Sequence, residues 1–187
     1  MPGTQGAGAN YKKTGPEPPD HAIGRSRGGL TSKIHLVADG KGRMLSAVLT
    51  AGNVNDTTML AAVMDEISVP RSGPGRPRQR PDRLLADKGY PSKSNRAWLA
   101  ARGIAATIPE KADQVANRRR KGSRGGRPPA FDAETYRRRN VVERCFNQLK
   151  RWRGLAMRTD KTARNFHAAI QLASALVWLG TSFSNTP

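Results

Sequence analysis

A stretch of fifteen residues, Tyr136 to Lys150, limits most strongly what this chain can fold into: YRRRNVVERCFNQLK. It contains neither glycine nor proline, so the sequence predicts one helix over 136–150. At about 100° of rotation per residue, one face of this helix is apolar and should pack on a core. The residues of that face are Val142, Cys145, Phe146, Leu149 and Trp152.

A second face of the predicted helix carries a single acid among cations. Tyr136, Arg139, Glu143 and Lys150 lie within roughly 60° of one another at helical spacing, at the border of the apolar face. Such a carboxylate has two interpretations. Glu143 could take part in a surface ion pair, or it could bind a metal ion in a cleft that also binds phosphate.

The charge of the chain favours a polyanionic partner. The chain has 187 residues, which is enough for one domain and an appended segment, and its net charge is +19. Only 36% of its residues are hydrophobic, so the core should be small. The excess of cations points to DNA or RNA. A membrane is not a predicted partner, because no signal peptide, lipidation motif or transmembrane run is visible. The single cysteine suits a reducing cytoplasm, and its place on the apolar face predicts a core residue.

The order of predicted elements indicates an α/β fold with a mixed sheet flanked by helices. Residues 1–29 are rich in glycine and proline and predict a flexible arm, and 30–182 predict the folded domain. Asn55 or Asp56 is expected to cap a helix, and the domain should contain basic irregular loops at 70–82 and 111–130. The predicted elements are a hairpin of 31–38 and 44–50, a helix after Asp56, strands at 83–87 and 104–108, and helices at 95–102 and 166–179.

Asp87 follows a predicted buried strand, at the end where ligands gather in α/β folds. Capping of the loop is the alternative explanation for an acid in this place. Together with Glu143 and the basic surroundings, Asp87 suggests metal-dependent phosphoryl transfer. Two-ion sites usually take three or more carboxylates, so two acids cannot easily hold two ions. Asp39 is explained by its hairpin turn, and His35 by packing or hydrogen bonding within its strand.

The four residues on the second face stand at the spacing Y-x2-R-x3-E-x6-K, and the chain also contains GRSRGGLTSKIHL, LLADKGY, ATIPEKAD and RNVVERCFNQLKRWRG. These strings resemble bacterial insertion-sequence transposases of the Asp-Asp-Glu class, from about His21 to Leu179. The resemblance implies a ribonuclease-H-like fold, DNA strand cleavage and transfer with Mg²⁺ or Mn²⁺, and a homodimer on DNA in the bacterial cytoplasm.

The resemblance also implies roles for single residues. Asp87 takes the place of the second catalytic Asp and Glu143 that of the catalytic Glu, both as metal ligands. Tyr136, Arg139 and Lys150 resemble contacts to the transposon-end DNA. Residues 111–164 hold 17 of the 33 Lys and Arg side chains but only 5 of the 14 Asp and Glu, which favours binding to the phosphate backbone. The predicted DNA-binding residues of the basic loop are Arg118, Arg119, Arg120, Lys121 and Arg124.

The family carries its first catalytic Asp on a strand that precedes the segment seen here. No such strand lies before residue 30, and Asp20 in EPPDH is a poor substitute. We therefore expect the downstream part of a transposase, which lacks the first strand of its sheet and needs an upstream portion for activity. A non-catalytic DNA-binding fragment that inhibits intact transposase is the alternative. A ribosomal or RNA-binding protein would explain the charge but not the four-residue spacing.

Overall fold

The computed structural model describes residues 19–183 and contains five strands and seven α-helices in that range. The chain divides into a central unit, Asp56–Asn140, and a terminal unit that combines the residues before and after it. The α/β class predicted from the order of elements is confirmed.

The terminal unit contains an antiparallel sheet of three strands, β1 (Gly24–Ser26), β2 (Gly29–Ala38) and β3 (Met44–Ala51). Strands β2 and β3 form the predicted hairpin. Its turn is held by Asp39, whose Oδ1 accepts hydrogen bonds of 2.9 Å from the backbone N–H groups of Lys41 and Arg43. Burial raises the pKa of Asp39, but these bonds and the Arg43 guanidinium outweigh it and lower the pKa. Asp39 is therefore a turn residue, as the sequence predicts.

Three helices complete the terminal unit: α5 (Asn140–Lys150, whose first residue belongs to the central unit), α6 (Arg153–Met157) and α7 (Ala163–Phe183). Cys145 is 2% exposed, which confirms it as a core residue. Trp152 is 46% exposed and lies beyond the end of α5, so its predicted place on the apolar face is wrong. None of the helices among residues 19–183 has the length and apolar character needed to cross a membrane. The core residues are Met44, Ala47, Cys145, Leu149, Leu155, Phe166, Ile170 and Ala173.

The central unit is built on a parallel strand pair, β4 (Arg83–Leu85) and β5 (Ala105–Thr107), joined through helix α2 (Lys93–Ala101). The N-terminus of α2 is capped by Ser92, whose Oγ accepts a hydrogen bond of 3.0 Å from the N–H of Asn95. Gly103 has a φ of +64° and ends the helix, as predicted. The remaining helices of this unit are α1 (Leu60–Asp65), α3 (Ala112–Arg120) and α4 (Ala133–Arg137).

Several predicted elements differ from the structure. The strands form two sheets instead of one mixed sheet, because β2 pairs with β3 locally while β4 and β5 pair within the other unit. The predicted arm 1–29 includes β1, which pairs with β2, while residues 1–18 lie outside the described range. Helix α1 begins after a 3-10 turn, Asp56–Met59, and its N-cap is Met59, so the predicted cap at Asn55 or Asp56 is wrong.

The predicted loop 111–130 contains helix α3 followed by a 3-10 turn, Gly122–Gly125. Its three successive arginines stand in the last turn of α3, where cations favour a helix through its dipole. The charge that suggested an irregular segment therefore stabilises a regular one. Residues 70–82 are irregular as expected, apart from an isolated bridge that joins Arg78 to Val69.

The predicted continuous helix 136–150 is interrupted at Arg138 and Arg139. The N–H of Arg138 donates to the carbonyl of Thr135 at 3.1 Å, and that of Arg139 to Tyr136 at 2.9 Å. These bonds span three residues instead of four, so α4 ends in a tightened turn before α5 begins. The sequence has no glycine or proline at this point, and pattern alone could not locate the break.

Candidate functional site

Asp87 lies two residues beyond strand β4, on an exposed loop of the central unit. Its Oδ1 accepts a hydrogen bond of 2.7 Å from the N–H of Gly89. The N–H of Tyr90 donates to the main-chain carbonyl of Asp87 at 3.2 Å and closes the turn. The turn therefore fixes the orientation of an accessible carboxylate, which is what a residue that binds a cation requires.

Gly89 leaves the space that this carboxylate occupies. A Cβ atom at Gly89 would lie 2.8 Å from Oδ1 of Asp87 and 3.7 Å from Oδ2 of Asp56. Two acids from different parts of the central unit thus face the same backbone position. The predicted site residue Asp87 has a second carboxylate close to it.

Asp56 is the site residue that sequence reasoning missed, because its position before a predicted helix indicated only a helix cap. Its position could have identified it, because Asp56 lies five residues after the end of β3 and acids that follow strands often face a ligand. The charge of Asp56 affects the pKa of Tyr90. Burial raises the pKa of Tyr90, and the negative charges of Asp56 and then Asp87 raise it further. The Tyr90 phenol therefore stays protonated at neutral pH.

The loop that carries Asp87 is tied to the turn that begins with Asp56. The side-chain amide of Asn95 donates to the carbonyl of Thr57 at 2.9 Å and to that of Tyr90 at 3.1 Å. The Thr57 hydroxyl donates to the carbonyl of Gly89. The two hydrogen bonds of Thr57 join residues far apart in the sequence, and together with the bond from Asn95 to Tyr90 they hold both acids in one part of the central unit.

Glu143 stands in the first turn of α5, in the terminal unit, and is partly buried. A carboxylate at this end of a helix is favoured by the helix dipole, whatever else it binds. Lys150 is exposed at the last position of the same helix. Because Asp87 and Glu143 belong to different units, their predicted convergence at one metal site stays a prediction.

Tyr136 and Arg139, two of the four residues of the Y-x2-R-x3-E-x6-K spacing, lie close together in the central unit. The Arg139 guanidinium is 5.7 Å from the centre of the Tyr136 ring, within the range of a cation–π contact. The Tyr136 ring also packs against the ring of Phe131, with a centroid distance of 5.2 Å and an angle of 56° between the ring planes. Phe131 is 46% exposed, so this aromatic pair lies at the surface.

The five cations predicted to bind DNA lie on α3 and the turn after it, and they differ in surroundings. Arg118 is partly buried and forms an ion pair with Glu110. Arg120 donates to the side-chain oxygen of Asn117 at 2.9 Å. Arg119, Lys121 and Arg124 are exposed. Arg118 is thus engaged within the protein, whereas its neighbours are presented to solvent.

The residues described here fit part of a metal site. Among residues 19–183, no group of three or more His, Cys, Asp or Glu side chains is arranged to hold a metal ion. Asp56 and Asp87 supply two carboxylates that face one loop. Mg²⁺ often binds through one or two carboxylates together with water and substrate phosphates, so the pair suits a partial ligand set for this cation.

Comparison with known proteins assigns the family. The family model described as "Transposase DDE domain" matches residues 3–178. A Burkholderia cepacia protein named as a transposase for insertion sequence element IS402 is 37% identical over 169 residues, which cover 90% of this chain and 70% of that protein. A Brucella ovis protein named as a transposase for insertion sequence element IS6501 is 28% identical over 150 residues, 80% of this chain and 99% of that protein. No solved structure matches the chain. With nearly its whole length matched, the chain belongs to the family of transposase DDE domains.

Proposed function

We propose that this chain is the catalytic portion of a DNA transposase that cleaves and joins strands at the ends of an insertion sequence. The observation that carries this proposal is the carboxylate of Asp87, held by the Gly89 N–H just beyond a strand, in a chain of the DDE transposase family. An oriented, exposed acid after a strand is suited to holding a divalent cation against a phosphate.

In this proposal Asp87 and Glu143 bind Mg²⁺, with Mn²⁺ able to replace it. When bound, the metal would activate the attacking oxygen and stabilise the leaving one. Groups of the chain itself orient and stabilise the two carboxylates. The Gly89 N–H serves Asp87 in this way, and the start of helix α5 favours the charge of Glu143. The protonated Tyr90 phenol adds no third negative charge beside Asp56 and Asp87.

Substrate DNA would be held by the cations and aromatic groups at the surface. Tyr136 and Arg139 form one contact group, where a guanidinium beside a ring can meet a phosphate while the ring meets a sugar or base. Lys150 would bind a second phosphate. The exposed residues of the α3 segment, Arg119, Arg120, Lys121 and Arg124, would bind the backbone without reading sequence. We expect two copies to act together on the DNA, in the bacterial cytoplasm.

We further propose a ribonuclease-H-like domain that is completed by an upstream portion. An antiparallel hairpin followed by a parallel strand pair with an acid after β4 is consistent with the order of elements in such a fold. An upstream strand bearing another aspartate would bring the acids to the three or more that two-ion sites usually take. The isolated chain would then bind DNA but not cleave it.

The proposal is tested by strand cleavage of DNA that carries the ends of the insertion sequence. Asp87→Asn and Glu143→Gln, made in the chain joined to its upstream portion, should each abolish Mg²⁺-dependent cleavage. Asp82→Asn is a suitable control, because Asp82 is in the same unit and its side chain is 93% exposed in an ion pair with Arg78. Full activity of either catalytic-site variant, or loss in the control alone, would exclude the assignment.

The exposed cations of the α3 segment also favour a second candidate, a DNA-binding fragment that competes with intact transposase. This role needs the basic surface but no metal. Binding would fall steeply with salt and would be unaffected by Asp87→Asn. Co-expression of the chain with intact transposase distinguishes the two: reduced transposition supports competition, and an unchanged rate rejects it.

A further inference from the structure

We propose that Asn95 is a positioning residue, which sets the orientation of the Asp87 carboxylate by clamping the loop that carries it. This inference rests on the proposed role of Asp87 as a metal ligand. Asn95 lies outside the Y-x2-R-x3-E-x6-K spacing and outside the basic loops, and nothing in its sequence context marks it.

The first support is its burial. Asn95 is 8% exposed, and a buried amide in the first turns of a helix is costly unless its polar atoms are bonded. Its side-chain nitrogen donates to two main-chain carbonyls, those of Thr57 and Tyr90. An amide has two N–H donors and can satisfy two carbonyls that converge from different segments.

The second support is what the clamp joins. Thr57 belongs to the turn that begins with Asp56, and Tyr90 is the last residue of the turn that orients Asp87. Asn95 therefore fixes the distance between the segments that carry the two acids. Thr57 adds a parallel connection through its hydroxyl to the Gly89 carbonyl.

The third support is that Asn95 lies on a firmly held helix. Asn95 projects from α2, whose first turn is capped by Ser92 and whose Leu99 is fully buried. The side-chain amide of Gln114 on α3 donates to the carbonyl of Pro91 at 2.6 Å, so the residue after Tyr90 is held as well. Two adjacent residues of the loop that carries Asp87 are thus fixed by helices, and groups behind a metal ligand generally orient it in this way.

The test uses Asn95→Asp, which has nearly the same shape but replaces the donor nitrogen by an acceptor oxygen. In this chain without metal, amide hydrogen exchange at Gly89 and Tyr90 should accelerate at least about tenfold. In the chain joined to its upstream portion, the Mg²⁺ concentration for half-maximal cleavage should rise about tenfold or more, as for loss of other groups behind metal ligands.

Ser92→Ala is the matched control, since it removes the cap of the same helix but leaves the Asn95 side-chain amide intact. A merely structural role for Asn95 predicts that both variants lower stability and that neither shifts the Mg²⁺ dependence. Asn95→Gln keeps the donors and should restore part of the wild-type Mg²⁺ dependence. Equal Mg²⁺ curves for Asn95→Asp and Ser92→Ala would overturn the inference, while an active Asp87→Asn would instead overturn the proposed function beneath it.

Discussion

Arg158 donates a hydrogen bond of 3.5 Å to the carbonyl of Ala22, and these are the two residues other than glycine with positive φ among residues 19–183. Their φ angles are +46° and +48°. Left-handed backbone costs about 1–3 kcal/mol for such residues and persists only where surrounding contacts over-determine it. Arg158 provides those contacts, because its guanidinium also donates to the carbonyl of His21 and lies 5.1 Å from the Phe166 ring.

Arg158→Ala should therefore destabilise the terminal unit. The side chain is only 3% exposed, and its loss leaves the main-chain carbonyls near His21 without a charged donor. We expect a decrease of about 1.5–3 kcal/mol in the free energy of unfolding, the range for hydrogen bonds to charged groups, measured by urea denaturation. Arg151→Ala, at an exposed position of the same unit, should change stability by less than about 0.5 kcal/mol. Equal effects of the two substitutions would contradict the prediction.

Gly89→Ala should impair the site without unfolding the protein. The added methyl carbon would lie 2.8 Å from Oδ1 of Asp87, inside van der Waals contact, and the exposed carboxylate would rotate away. We expect Mg²⁺-dependent cleavage by the joined protein to fall by at least about tenfold, with a change in stability below about 1 kcal/mol. Gly73→Ala is the control, because a Cβ there meets nothing within 4 Å. Wild-type cleavage by Gly89→Ala would show that the orientation of Asp87 does not matter.

The buried thiol of Cys145 should make the free energy of unfolding depend on pH. Burial, and then the charge of Asp39, raises the pKa of its thiol from 9.0 to about 11. The unfolded chain therefore loses this proton at lower pH than the folded one. The resulting stability is complete below pH 9 and is lost as pH rises toward 11, on the order of 2 kcal/mol in total. The advantage of the wild type over Cys145→Ala in urea unfolding should narrow between about pH 8 and about pH 10.5. If the stabilities of the wild type and Cys145→Ala changed in parallel with pH, the predicted role of the thiol would be wrong.

Substitutions of the neighbours Arg118 and Arg119 should have different effects, one on stability and the other on DNA binding. Arg119 is exposed, so Arg119→Ala should weaken binding to any DNA sequence and reduce the slope of log affinity against log salt by about 1. Arg118 is paired with Glu110, so Arg118→Ala should lower stability, by removing the ion pair of a partly buried carboxylate, and leave that slope unchanged. Fluorescence anisotropy at several salt concentrations and urea unfolding measure the two effects. A reduced salt slope for Arg118→Ala would return this residue to the DNA-binding group.

Local patterns in the chain were sufficient for many of its elements. Alternating residues around DGKGR predict the β2–β3 hairpin, and the apolar face of the 136–150 stretch predicts the burial of Cys145 and Leu149. Gly103 marks the end of α2. Each of these signals works because the residues that decide the structure are neighbours in the sequence.

Other features depend on residues that meet only after the chain folds. The break at Arg138 carries no glycine or proline, and the ion pair of Arg118 with Glu110 removes a cation that composition alone assigns to DNA. At the candidate site, the sequence by itself determined that Asp87 follows a strand. Tertiary structure decided that Asp56 faces the same backbone position and that Asn95 clamps the loop. Hydrogen-bond partners separated by 38 residues are chosen by the closure of the fold, and no local pattern encodes them.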